Sequence, residues 1–198
     1  MNILFKYLNT VGAFLSSISI IGFFVQALIS PELNINWIYT NAVIIFIIEF
    51  LSIHSTAMMI GEAHSKDKKK NATHLFFLYL FFTIVLTVIF KNYILPFFFI
   101  LSTYIKFFMG RYIADSKTYL LISILTFIIP LIIVIIGANL LEYLFPFPQE
   151  VLMARPVDAK GLFYDVPQTV LVWGVLYFSI EFIINLYLQI KTCVQKQS

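Results

Sequence analysis

The chain has 198 residues, 61% of them hydrophobic and only 12% charged, with a formal net charge of +3. A soluble domain runs about 45–50% apolar and about 25% charged, so this chain has too little polar surface to clothe a water-facing globule. Its apolar residues fall in long runs broken by short polar segments, which fits helical bilayer crossings of about 20 residues and excludes a barrel, whose strands alternate apolar and polar positions.

The first apolar segment is Val11 to Ile29, closed by Ser30-Pro31-Glu32. Lys6 precedes it as the basic region of a leader would. The stretch has no small-residue cleavage site, so a retained helix is expected rather than a signal peptide. Gly12, Ser16, Ser17 and Ser19 give it a small, mildly polar face suited to close helix contact. The second segment, Trp37 to Ile60, opens with Trp37 and Tyr39 where an interfacial aromatic belt would lie and carries Glu49 and His54 inside it.

A polar, basic stretch follows, with Lys66, Lys68, Lys69 and Lys70 and the histidines His64 and His74. Its charge fixes topology and can touch anionic lipid headgroups. Segments three (Leu75 to Phe90) and four (Tyr93 to Met109) are joined tightly at Lys91-Asn92. Segment three has 16 residues, about 24 Å at the helical rise per residue, short for a hydrocarbon core. Two thin crossings are expected, with a re-entrant hairpin as the alternative. Segment five, Thr118 to Leu141, contains Pro130; that proline, with Gly137 and Ala138, is a place to kink. Residues 142–166 form the longest polar stretch, and segment six runs from Pro167 to Leu188, with Pro167 in the first turn.

Orientation follows from the basic residues. With the N-terminus inside, the inner side carries Lys6, Lys66, Lys68, Lys69, Lys70, Lys106, Arg111, Lys117, Lys191 and Lys196. The outer side carries only Lys91, Arg155 and Lys160. This bias predicts an all-α, polytopic transmembrane bundle of six spanning helices with both ends inside.

Ionisable groups at bilayer depth are expensive and mark candidate sites. Glu49 lies 12 residues in from Trp37, and Glu181 lies 14 residues in from Pro167. Both segments run outside to inside, so the two carboxylates are expected at similar depth; as neighbours they would share a proton. Tyr177, Glu181, Asn185 and Gln189 recur at four-residue intervals along one helix face. Glu49, Ser52 and Thr56 share another face, with His54 about 140° around the same helix from Glu49.

Three roles compete for this set: hydrogen-bonded glue between helices, a proton or ion relay or a small polar cavity, and a metal site built from Glu49, His54 and Glu181. The last lacks the Glu-x-x-His spacing of bundle di-metal proteins. A single cysteine, Cys193, excludes an internal disulfide and any multi-cysteine metal site. There is no phosphate loop, nucleophile elbow or zincin motif, so neither a cofactor nor a nucleic-acid partner is expected. In the outer loop Arg155 and Asp158 are candidates, as a surface pair within a greasy segment suited to an interfacial lid or a docking strip.

The stretch Phe46-Ile47-Ile48-Glu49-Phe50, the Ala154-Arg155 step and the final helix from Pro167 to Lys191 resemble a bacterial multi-pass membrane family described only as a domain of unknown function. The resemblance supports this topology and implies no activity; a bacterial inner or plasma membrane is the expected location, with an organelle membrane as the alternative. The features together predict an accessory or scaffold subunit of a larger membrane assembly. A small transporter or proton-coupled protein using the midplane carboxylates is the alternative, and a membrane-embedded metal-dependent enzyme the third.

Overall fold

The computed structural model describes residues 3–63, 69–90 and 116–194, together with Pro96, Phe99, Ile100, Ser102 and Thr103. Every regular element among them is helical. The fourth expected segment lies mostly outside the described residues, as do His64, Lys66, Lys68 and Lys91; so do the side chains of Gly12, Ser16, Lys69, Lys70 and Gln189.

Helix α1 covers Ile3–Ile29. It ends where the sequence expects: Ser30 N–H still reaches back to Gln26 O at 2.9 Å, but Pro31 has no N–H to continue the ladder. Pro31 instead opens a 3₁₀ turn, Pro31–Asn34, fastened by Asn34 Nδ2 donating to Ser30 O at 2.7 Å. A π-helical turn, Trp37–Ala42, comes next and runs into α2, Val43–Ala63. Helix α3 is Lys69–Phe90, beginning inside the basic stretch rather than after it. Its 22 residues span about 33 Å, although its described apolar stretch, Phe77–Val88, is shorter than a crossing.

Expected segment five is broken. Helix α4, Ser116–Ile136, carries Pro130 within it, and the break comes at Gly137. Helix α5, Ala138–Leu144, sets off at 73° to Leu121–Ile136. Two short helices, α6 (Gln149–Met153) and α7 (Leu162–Asp165), punctuate the long loop. Helix α8 is Gln168–Val194. Pro167 stands just before it and its carbonyl accepts from Leu171 N–H at 3.3 Å. Two helical stretches, Trp37–Thr56 and Gln168–Tyr187, are each long and apolar enough to cross a membrane, and the bent α4–α5 pair makes a third if it counts as one span.

The chain divides into two compact units. The first comprises Met1–Val43 and Thr126–Tyr187 and the second Ile44–Leu125 and Leu188–Ser198.

The first unit is built around aromatic rings. Trp173 and Tyr177, one turn apart on α8, stack with centroids 5.0 Å apart and planes 7° from parallel. Phe127 meets the Trp173 edge at 5.2 Å, while the Trp173 indole N–H donates to Phe127 O at 3.4 Å. Phe24 from α1 lies edge-on to Trp37 at 4.9 Å and against Phe178 at 5.9 Å. Phe24 covers Gly174 so closely that a Cβ placed there would stand 2.3 Å from its ring. Close contact of α1 is thus made by Phe24 and Ala27, both buried, whereas Ser19 on the expected small face is exposed. The sequence offers no periodic signal for this, since one missing side chain on α8 makes the space. The loop closes over this unit: α6 packs on the Pro31–Asn34 turn, with Val151 fully buried.

The second unit has an apolar cluster of Ile44, Ile48 and Phe99, flanked by Leu51, Tyr79, Leu80 and Leu86. Threonines on α3 turn back onto their own helix: Thr83 donates to Tyr79 O at 2.9 Å and Thr87 to Thr83 O at 2.8 Å. This internal bonding lets a hydroxyl be buried without a partner on another element.

Candidate functional site

The described polar chemistry concentrates in the second unit, beside that apolar cluster. Glu49 is 6% exposed and Ser52, three residues on, is fully buried. Their spacing puts both on one side of α2, where they face the 99–103 segment. Ser102 donates its hydroxyl to Glu49 Oε1 at 2.9 Å. Ser52 and Ser102 hydroxyls lie 2.9 Å apart, and Thr103 donates to Ser52 Oγ at 3.3 Å.

A hydroxyl has one proton to give. With Ser102 committed to the carboxylate, Ser52 donates to Ser102, and the donors run in one direction: Thr103 to Ser52 to Ser102 to Glu49. Ser55 extends the buried polar stripe, donating to Ser52 O at 3.1 Å. Thr56 is 3% exposed and its hydroxyl has no partner among the described residues. Ser102 and Thr103 were invisible as site residues in an apolar segment of ordinary composition. Only the pairing of residues about fifty positions apart brings them to Glu49.

His54 belongs to a different surface. It is exposed, stacked on Phe50 at 6.1 Å and tilted against Tyr79 at 5.8 Å. Its 140° offset from Glu49 on the helix accounts for the separation. His74 is also exposed. Among the described residues no three of His, Cys, Asp and Glu are grouped as ligands for a metal.

Tyr177, Glu181 and Asn185 belong to the first unit. Tyr177 and Asn185 are buried and Glu181 is half-buried, so this side of α8 faces inward. Tyr177 is engaged chiefly as a ring in the aromatic cluster, against Trp173, Phe127 and Phe178.

The long loop carries a second polar group, also in the first unit. Arg155 pairs with Asp165 rather than with Asp158. The reason is local geometry: Gly161, at φ 116°, turns the chain so that its own N–H donates to the other oxygen of Asp165 at 3.2 Å, which aims the carboxylate at the guanidinium. A non-glycine residue rarely adopts that backbone conformation. The pair is exposed and therefore adds little stability; its role is to set the loop's path. Tyr164, beside it, lies parallel to Tyr39 at 6.4 Å, and burial pushes its phenol above the ordinary value of 10.0. Gln168, at the head of α8, is buried and donates to Phe145 O at 2.9 Å, tying the end of α5 to the start of α8. The sequence gives no hint of that role, since Gln168 reads as an ordinary first-turn residue.

Fold and site define an all-helical chain with, among the described residues, two or three helices long and apolar enough to cross a membrane and a buried carboxylate joined to a chain of hydroxyls. No protein-family model matches the chain, and neither a curated protein nor a solved structure is significantly similar to it.

Proposed function

We propose that this chain is an integral membrane protein of six crossings with both ends on the inner side, acting as an accessory or scaffold subunit of a larger membrane assembly. The likeness of residues 46–50 and of the final helix to a bacterial multi-pass family belongs to the same proposal. The observation that carries it is the hydroxyl of Ser102 on the Glu49 carboxylate, with Ser52 and Thr103 behind it. Within lipid, hydrophobic burial does not drive one helix onto another, and hydrogen bonds and close packing do that work. Glu49 and Ser52 of α2 are engaged in this way, as a fastener. Helix α3 meanwhile exposes Phe77, Phe81, Phe82, Ile84, Val85 and Val88, an apolar surface suited to lipid or to another membrane chain.

Extraction in mild detergent, followed by native mass measurement and protein identification, tests the reading. It expects a second, different chain in fixed ratio to this 22.9 kDa chain. Quantitative recovery of the chain alone, with full activity in an isolated assay, would overturn it.

The single direction of the donors favours one alternative, a proton-coupled membrane protein in which the hydroxyl chain conducts protons to or from Glu49. Liposomes carrying the protein and a pH gradient separate the two. Collapse of the gradient by the parent, abolished by Glu49→Gln, supports the relay; a gradient that persists with both supports the fastener. Glu181→Gln applies the same question to the first unit.

A further inference from the structure

Helix α5 turns away from α4 by 73°, and exposed apolar side chains lie on both sides of the turn. On α4, Ile128, Ile129, Ile132, Ile133, Ile135 and Ile136 are all exposed. At 100° per residue they cover less than half of the helix circumference, as a lipid-facing stripe does.

Within α5 the exposed large apolar residues are Leu140, Tyr143 and Leu144, at 58%, 81% and 54%. Their spacing of three and four residues makes them one stripe. Glu142 lies about 200° from Leu140 around the helix, on the opposite side. Ala138 and Leu141 turn toward the protein and are buried or half-buried.

A helix that crosses a bilayer and then bends by 73° runs nearly along the membrane plane. The apolar stripe with a tyrosine in it and a carboxylate opposite is the distribution of an interfacial helix, and tyrosine favours that boundary. The turn is fixed in place. Gly137 N–H holds to Ile133 O at 2.9 Å, Leu141 N–H to Gly137 O at 2.9 Å, and Gln168 anchors Phe145 O. A Cβ at Gly137 would approach Ile133 O to 3.0 Å, so a small residue suits the corner.

We propose that Ala138–Leu144 is an in-plane element seated at the headgroup–acyl boundary of the bilayer, with Leu140, Tyr143 and Leu144 inserted into lipid. The proposal rests on the membrane reading above and adds a lipid-contacting surface to it. Its occupant is the bilayer edge itself, because α4 exposes an apolar stripe up to the corner and α5 exposes another beyond it, with Tyr143 in that stripe and Glu142 opposite.

The test uses the full chain with Cys193→Ser and one new cysteine, Tyr143→Cys or Ile128→Cys, each labelled with a small fluorophore and reconstituted into vesicles. Quenchers are aqueous iodide and lipids with a nitroxide near the headgroup or near the chain end. Ile128 lies eight residues below Ile136, about 12 Å along the helix, and serves as the depth control.

The label at 143 is expected to be quenched about twofold more by the shallow nitroxide than by the deep one, as for a helix buried to the acyl boundary, and the label at 128 in the reverse order. Quenching of 143 by iodide alone, with 128 still quenched by lipid, overturns the interfacial seat and leaves the membrane reading intact. Shielding of 143 from both iodide and lipid overturns it in favour of a covering protein. Absence of lipid quenching at both positions overturns it together with the membrane reading.

Discussion

The two units are held by different physics. In the first, a fully buried tryptophan, a tyrosine parallel to it and a phenylalanine ring laid over a glycine interlock by shape. In the second, a carboxylate and three hydroxyls interlock by direction, each proton having one place to go. Shape tolerates little change of volume. A hydrogen-bonded row tolerates substitution of equal shape but fails when one member is left without its partner. Substitutions can therefore tell the two apart.

The largest effect is expected in the aromatic unit. Trp173→Ala removes the ring that Phe127, Tyr177 and Phe178 all touch, and thermal or denaturant unfolding in detergent should show a loss of about 3–5 kcal/mol. Gly174→Ala comes next, at about 1–3 kcal/mol for overpacking, because Phe24 is enclosed and has nowhere to retreat. Phe24→Leu should recover part of that loss in the double variant. Additive losses would show that the ring and the glycine are not in contact.

In the polar unit, Ser102→Ala removes the hydroxyl that donates to Glu49 and accepts from Ser52, and about 1–2 kcal/mol is expected. Thr56→Val should do the opposite. It removes a buried hydroxyl that has no partner among the described residues and keeps its shape, so stability is expected to hold or rise by up to about 1 kcal/mol. A clear loss from Thr56→Val would mean that this hydroxyl is bonded after all and that the polar row is longer.

The smallest effect belongs to the loop. The phenol of Tyr164 is held above 10.0 by burial, so its contribution to stability is fully present below that pH and is lost as pH rises through the raised value. An alkaline absorbance titration should lose one late-ionising tyrosine in Tyr164→Phe.

Much of the helical layout was legible. Ser30-Pro31 places the end of α1 at Ile29, and Pro167 places the start of α8, because proline acts on the backbone locally and leaves its mark in the sequence. The corner between α4 and α5 was less so. Pro130 is the stronger breaker on paper, yet it lies inside α4, and the chain turns at Gly137. The π turn at Trp37–Ala42 has no signature in the residues that form it.

The candidate site was half legible. Glu49 stands out by the expense of a carboxylate within an apolar run, whereas Ser102 and Thr103 carry no such mark; their role exists only through a contact about fifty residues away. Arg155 was legible as a charged group, but its partner was not. Asp158 is nearer in sequence, and Asp165 prevails because a positive φ at Gly161 bends the chain. A pattern of residue types records local preferences, and these features depend on where distant pieces of chain meet.

The seating of Phe24 on Gly174 sets a limit on what the first and last helices can carry where they meet. With a ring resting directly on the backbone of α8, the ring itself fills the place that a side chain at position 174 would take. Trimming Phe24 to alanine would therefore leave a cavity that Gly174 has no side chain to fill.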